Sequence, residues 1–134
     1  MDISYERVER IDVETFRRVL VASGLGERRP VDDAERLGRM VDHANLTVVA
    51  KDGDRVVGVS RALTDFAFCC YLSDLAVDPV YKGQGIGQRL IEETRRHAGP
   101  EAMCLLLSAP EAVGFYERIG MPRNDQAFIY ARER

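Results

Sequence analysis

The stretch "DPVYKGQGIG", residues 78–87, puts glycine at three alternate positions, Gly83, Gly85 and Gly87, directly before "QRLIEETRRHAG", a segment of helical periodicity. Upstream, "FAFCCYLSDLAV" is rich in aromatic and branched residues and predicts a long strand. Downstream, "AMCLLLS" is a short continuous apolar run, which predicts a strand buried on both faces. Strand, glycine turn, helix and strand make a crossover, and a helical crossover within one sheet implies a parallel pair. In the intervening helix Ile86, Leu90, Ile91 and Ala98 share one face, while Glu92, Glu93, Arg95 and Arg96 point elsewhere.

The rest of the chain is organised around that unit. "ISYERVER" alternates like a first strand, and residues 12–23 set Val13, Phe16, Val19 and Leu20 on one helical face between an Asp12 N-cap and Gly24. After the loop "GLGERRPVDD" a second helix carries Ala34, Leu37, Met40, Val41 and Ala44, capped by Asp32 or Asp33. "LTVVAKDGDRVVGVSRALT" reads as a hairpin turning at Asp52-Gly53. A last helix follows Ser108, whose hydroxyl and Glu111 suit a capping box around Pro110, and "QAFIYAR" predicts a closing strand. The expected fold is α/β of the α+β type: one domain over residues 1–134, with a mixed, mostly antiparallel sheet, one parallel pair and about four helices.

Composition narrows the function classes. In 134 residues, 46% hydrophobic and 31% charged describe a globular chain large enough to build a core without disulfides or a structural metal. A formal charge of -3 argues against a general nucleic-acid binder. No apolar run reaches the ~20 residues of a membrane span and the N-terminus shows no signal-peptide core, so a cytoplasmic protein without membrane partners is expected. Cys69, Cys70 and Cys104 lie in apolar runs without zinc-site spacing, and are expected to be buried, inert thiols. His43 and His97 sit near helix ends without ligand-like partners, so no metal is expected.

Bare backbone at a helix start has a chemical use. Successive N–H groups without side chains in the way, followed by the positive end of a helix dipole, cradle an anion such as a phosphate or pyrophosphate, and Lys82 adds a positive charge beside them. The bland alternative is a tight strand-to-helix connection. Two familiar phosphate loops fail on spacing: "GQGIGQRL" lacks the Gly-Lys-Ser/Thr of the P-loop, and its G-x-G-x-G lies mid-chain rather than after a first strand as G-x-G-x-x-G.

"LSDLAVDPVYKGQGIGQRLI" resembles the coenzyme A signature of the GNAT superfamily of N-acetyltransferases, with Lys82, Gly85 and Gly87 at its Arg/Gln-x-x-Gly-x-Gly/Ala positions. "AVGFYERIGM", residues 112–121, is similar to the family's A-x-x-F-Y-x-x-x-G-F segment. The two lie in the family's order, and the expected element order matches over nearly the whole chain.

The resemblance implies acetyl-CoA as cosubstrate, without a metal. Its pyrophosphate would lie on the amides of Lys82, Gly83, Gln84, Gly85, Ile86 and Gly87, with Gln88 contributing, and its pantetheine arm beside Leu75, Ala76 and Val77. The strand carrying those three residues and the one near Leu105–Leu107 would splay apart to admit it. Tyr116 falls on the tyrosine that protonates the departing thiolate, although Ala112, Tyr116 and Ile119 also fit a core-facing helical stripe. Two positions depart from the pattern: Tyr71 stands where many members carry a glutamate base, and Ala109 where an asparagine is frequent. Asp74 is the nearest carboxylate and becomes the candidate base, although strand alternation puts it opposite Tyr71 and Ser73.

The acceptor would be a small-molecule or peptide amine. Arg28, Arg29, Asp32 and Asp33 on the loop before the second helix, and Arg61, Thr64 and Tyr71 on the central strands, are candidates to contact it. The expected activity is N-acetyl transfer by direct attack in a ternary complex. A catalytically idle acyl-CoA-binding or sensing module and a nucleotide-binding module of another fold stay open beside it, and a homodimer is common among similar proteins.

Overall fold

The computed structural model describes residues 2–134. Its elements are β1 (Ile3–Val8), α1 (Val13–Ser23), α2 (Ala34–His43), β2 (Leu46–Asp52), β3 (Arg55–Thr64), β4 (Cys69–Val77), α3 (Ile86–Ala98), β5 (Met103–Leu105) and α4 (Val113–Arg118). The five strands form one sheet in chain order, antiparallel from β1 to β4 and parallel between β4 and β5. That is the mixed α+β architecture expected from the crossover.

Local chemistry sets the helix ends where the sequence places them. Asp12 accepts from the Thr15 amide at the start of α1, Gly24 closes that helix in the left-handed region, and Asp33 accepts from the Arg36 amide to begin α2. The sheet then separates two cores. Val49, Val59 and Ala76 pack with Phe16, Val19, Leu20, Leu37 and Val41 under α1 and α2. Val48, Ala50, Val57 and Cys70 pack with Ile86, Leu90 and Ala98 under α3. Adjacent residues such as Val48 and Val49 therefore serve opposite faces, as the two-residue period of a strand requires.

Five expectations are corrected. The hairpin pairs Asp52 with Arg55, so Gly53-Asp54 forms its turn. Phe66–Phe68 precede β4 in a loop that the Asp65 carboxylate organises by accepting from the amides of Ala67, Phe68 and Cys69, in place of an early strand start. The Ser108 hydroxyl donates to the Ala109 carbonyl, and a short 3-10 turn over Pro110–Ala112 leads into α4 without a side-chain cap. β5 is a three-residue edge strand with Met103 58% and Leu105 39% exposed, rather than a strand covered on both faces. "QAFIYAR" forms no strand here and is exposed throughout. The last two share a cause, since without a neighbour beyond β5 that strand stays bare.

Leu90 carries much of the packing of α3 and is wholly buried. Leu90→Ala is expected to lower unfolding free energy by about 2–5 kcal/mol, the range for emptying a leucine site in a core, read from urea denaturation.

Candidate functional site

β4 and β5 pair only through Cys69–Met103, Cys70–Cys104 and Tyr71–Leu105. Beyond Tyr71 they part, so the main chain of Leu75–Val77 has lost its β5 neighbour while still paired to β3. The gap opens into a cleft of about 710 Å³ whose walls include Leu75, Ala76 and Val77, then Lys82, Gly83, Gly85, Ile86 and Gly87 of the turn but not Gln84, and Phe115, Tyr116 and Arg118 of α4. A smaller recess adjoins it, lined by Leu25, Arg29, Leu72, Ser73, Leu107 and Tyr116 among others.

The glycine turn is built for its place at one end of the cleft. Asp78 accepts from the Val80 amide, the Tyr81 hydroxyl donates to Asp52 at 2.6 Å, and together they pin the turn to the β2–β3 hairpin. Gly83 and Gly85 have φ of 83° and 72°, a region that L side chains rarely adopt. Gly85 caps α3 with no side-chain hydrogen bond, which leaves the first amides of the helix free to meet an anion. Lys82 departs from the expected cradle in one respect: its amide donates to the Pro79 carbonyl, so only its side chain is available. Gly87 lines the cleft and also fits under α4, since a Cβ there would stand 3.0 Å from Phe115 Cζ.

The recess is organised by a register break. Arg61 pairs with Asp74 and Ala62 with Leu72, which leaves Ser73 as an extra residue on β4. The bulge reverses the alternation. Tyr71, paired with Leu63, and Asp74, paired with Arg61, therefore lie on the same face of the sheet, which corrects the opposed placement that simple alternation gives.

Asp74 is fully buried, and its two oxygens accept from Arg29 Nε and Arg61 Nε. Arg29 also donates to the Ser73 carbonyl at 2.9 Å, while Arg61 donates to the Ser73 hydroxyl at 3.0 Å and the Met40 carbonyl at 3.1 Å. Asp74 is thus the centre of a buried ion triad, with both carboxylate oxygens engaged by guanidinium groups. Arg61 is likewise committed to the interior, and Thr64 is buried with its hydroxyl on the Cys69 carbonyl, so neither faces the recess. Tyr71 is 38% exposed beside β5. Arg28 lines the cleft and Arg29 the recess, whereas Asp33 is spent on its cap.

Tyr116 is half-buried where cleft and recess meet. Burial pushes its phenol above the ordinary value, against a smaller opposing pull from the Arg29 guanidinium. The group stays protonated through neutral pH, as a proton donor must. The cysteines differ from expectation: only Cys70 is buried, Cys69 is exposed and Cys104 is half-buried. Cys70 and Cys104 face each other across the parallel pair, where the neighbouring thiol and burial push Cys70 up and the proximity of Cys70 lowers Cys104 to about 7.

Sequence reasoning missed the triad, whose members 29, 61 and 74 share no local pattern, and the Tyr81–Asp52 tie. A lone buried-strand aspartate with arginines on neighbouring elements is the signal that points to the former.

A model of the acetyltransferase (GNAT) domain matches residues 43–120. The chain is 37% identical over 74 residues to the histone acetyltransferase TAP1 of Glycine max, a match covering 54% of this chain and 32% of that protein. It is 26% identical over 137 residues to the uncharacterized N-acetyltransferase ycf52-like of Prochlorococcus marinus, covering 95% and 74%. The first curated relatives are thus matched over about a third of their own length. Among solved structures, the GNAT family acetyltransferase SP0256 of Streptococcus pneumoniae superposes with a TM-score of 0.78 at 26% identity, covering 99% of this chain and 100% of that one. The aminoglycoside N-acetyltransferase AAC(6')-Iy, solved with CoA, shares the fold with a TM-score of 0.73 at 15% identity, over 98% and 95%.

Removing the anion of the triad leaves two guanidinium groups without their counter-charge. Asp74→Asn is expected to cost about 3–5 kcal/mol of unfolding free energy, the range for breaking a buried ion pair from one side, measured by denaturant titration.

Proposed function

The chain belongs to the GNAT acetyltransferase family, and on that premise we propose that it moves an acetyl group from acetyl-CoA to an amine acceptor by direct transfer in a ternary complex. The observation that carries the reading is the junction of one cleft with one recess at Tyr116. The cleft holds an uncapped helix start at one end and an unpaired strand edge along its side. That combination suits a long ligand with a pyrophosphate at one end and amide groups along its arm.

Acetyl-CoA supplies the acetyl group already activated as a thioester. The amides at the start of α3, with the Lys82 ammonium beside them, hold the pyrophosphate. The backbone of Leu75–Val77 binds the arm as a further strand would, which fixes the reacting carbonyl near the bulge. A main-chain N–H of β4 there stabilises the negative charge that develops on the carbonyl oxygen. Tyr116 donates its phenolic proton to the leaving sulfur. With Asp74 withdrawn into the triad, the acceptor nitrogen passes its proton to water in the recess or arrives neutral. Arg28 and Arg29 border the acceptor side, and the whole unit works as one domain in the cytoplasm.

Titration calorimetry with acetyl-CoA, with ATP and NAD as controls, tests the binding step, and thiol release over a panel of amines tests transfer. Selective binding with release supports an enzyme, binding without release over the whole panel supports an acyl-CoA sensor, and no binding overturns the reading. Gly85→Val, which forces a branched residue into left-handed backbone, is expected to weaken acetyl-CoA binding by about tenfold or more, from a strain of roughly 1–2 kcal/mol plus obstruction of the amides. Tyr116→Phe is expected to lower kcat by about 10²–10⁴-fold, the range for losing a general acid, with the dissociation constant of acetyl-CoA unchanged. A wild-type kcat in that variant removes the phenol from the mechanism.

A further inference from the structure

Cys70 on β4 and Cys104 on β5 are direct register partners, in the middle of the three pairs by which those strands still run together. Partners on neighbouring strands stand about 4.8 Å apart and point to one face of the sheet, within the roughly 4.4–6.8 Å between Cα atoms that a disulfide spans. That face is the one under α3, since Cys70 packs in the cluster that holds Leu90 and Ala98. Cys69, one residue away, points to the other face and is paired with Met103.

The two thiols are unequally placed. Cys70 is buried, whereas Cys104 is half-buried on the edge strand and open to small solutes. The proximity of Cys70, with a further pull from the Arg95 guanidinium, brings the Cys104 thiol to about 7, so that much of it is thiolate at neutral pH. Cys70 is pushed the other way by its neighbour and by burial, and stays a thiol. An accessible thiolate oxidises first, and a second thiol beside it captures the product before it oxidises further. The acyl-transfer chemistry uses neither sulfur.

We propose that Cys104 and Cys70 form a two-thiol oxidation site, at which a hydroperoxide joins β4 to β5 through a reversible disulfide. The Cys104 thiolate attacks one peroxide oxygen, the O–O bond breaks, and its electron pair leaves on the other oxygen, which takes a proton to become water or an alcohol. Cys104 is then a sulfenic acid. The Cys70 sulfur attacks that sulfur, the S–O bond breaks as the S–S bond forms, and the departing hydroxide takes the Cys70 proton to leave as water. Two thiols are oxidised by two electrons and one peroxide is reduced by two. The link lies at the vertex of the cleft, because two residues further along each strand Leu72 and Leu106 already line the recess. Oxidation therefore fixes the point from which the strands diverge and encloses the glycine turn and α3 in a covalent loop. The site follows from strand register and does not rest on the acyl-transfer reading.

Peptide mass spectrometry and hydrogen exchange test it on the full chain. After treatment with equimolar hydrogen peroxide and non-reducing digestion, the peptides carrying Cys70 and Cys104 are expected as one linked species, two hydrogens lighter than their sum and separated again by dithiothreitol. Cys69→Ser, at an exposed position, is expected to keep the link within a single chain. Cys70→Ala is expected to abolish it and leave a sulfenic acid on Cys104 that dimedone traps; circular dichroism checks that this variant folds, and the first two readouts stand without it. In the oxidised chain the amides of Cys69–Tyr71 and Met103–Leu105 are expected to exchange about tenfold more slowly or less, since a three-residue edge pair otherwise opens locally. Both thiols left free by peroxide, a Cys69–Cys70 disulfide, a link formed only between chains, or unchanged exchange in the linked chain would overturn the proposal.

Discussion

A buried carboxylate between two guanidinium groups is the interaction on which the site depends. Asp74 draws Arg29 from the loop after α1 and Arg61 from β3 into one cluster, and Arg61 reaches on to the end of α2 through the Met40 carbonyl. Three segments far apart in sequence are thereby held against the bulge at Ser73. Burying ions is costly, and an apolar replacement of the whole cluster could be equally stable. What the charges add is direction: a guanidinium fork accepts only a narrow set of positions for its partner, so the wall of the recess has one geometry.

The second constraint is the parting of β4 from β5. A parallel pair that stayed in register would satisfy the main chain of Leu75–Val77 within the protein and leave no place for a ligand. The bulge at Ser73 adds twist at the point where pairing with β5 ends, and the short β5 does not follow. The cleft is therefore a consequence of register, and the glycine turn at its end is the only part of it that depends on particular side chains being absent.

Much of this was legible in the sequence because it was local. The caps at Asp12 and Asp33, the apolar stripe of α3 and the glycine turn are set by residues within a few positions of one another, and the structure has them where spacing puts them. The parallel pair followed from the crossover. The parts that escaped are non-local. One extra residue at Ser73 inverts the faces of everything after it, so alternation alone misplaced Asp74 relative to Tyr71. The run around Met103–Leu105 has the composition of a covered strand, and nothing nearby in sequence tells whether a neighbour will arrive to cover it. "QAFIYAR" has strand propensity, but a strand needs a partner, and propensity does not name one.

Gly87 ties two halves of the site together in a way that its sequence neighbours do not suggest. The ring of Phe115 occupies the space a methyl group would need at position 87, and Phe115 is followed directly by Tyr116. The start of α3 and the phenol of α4 are thus gauged against each other by one aromatic thickness. A side chain at 87 would press on that ring and require it to give way by a few tenths of an ångström, next to the phenol, while the left-handed turn at Gly85 stayed intact. The spacing between the two ends of the site is in that sense machined into a single missing side chain.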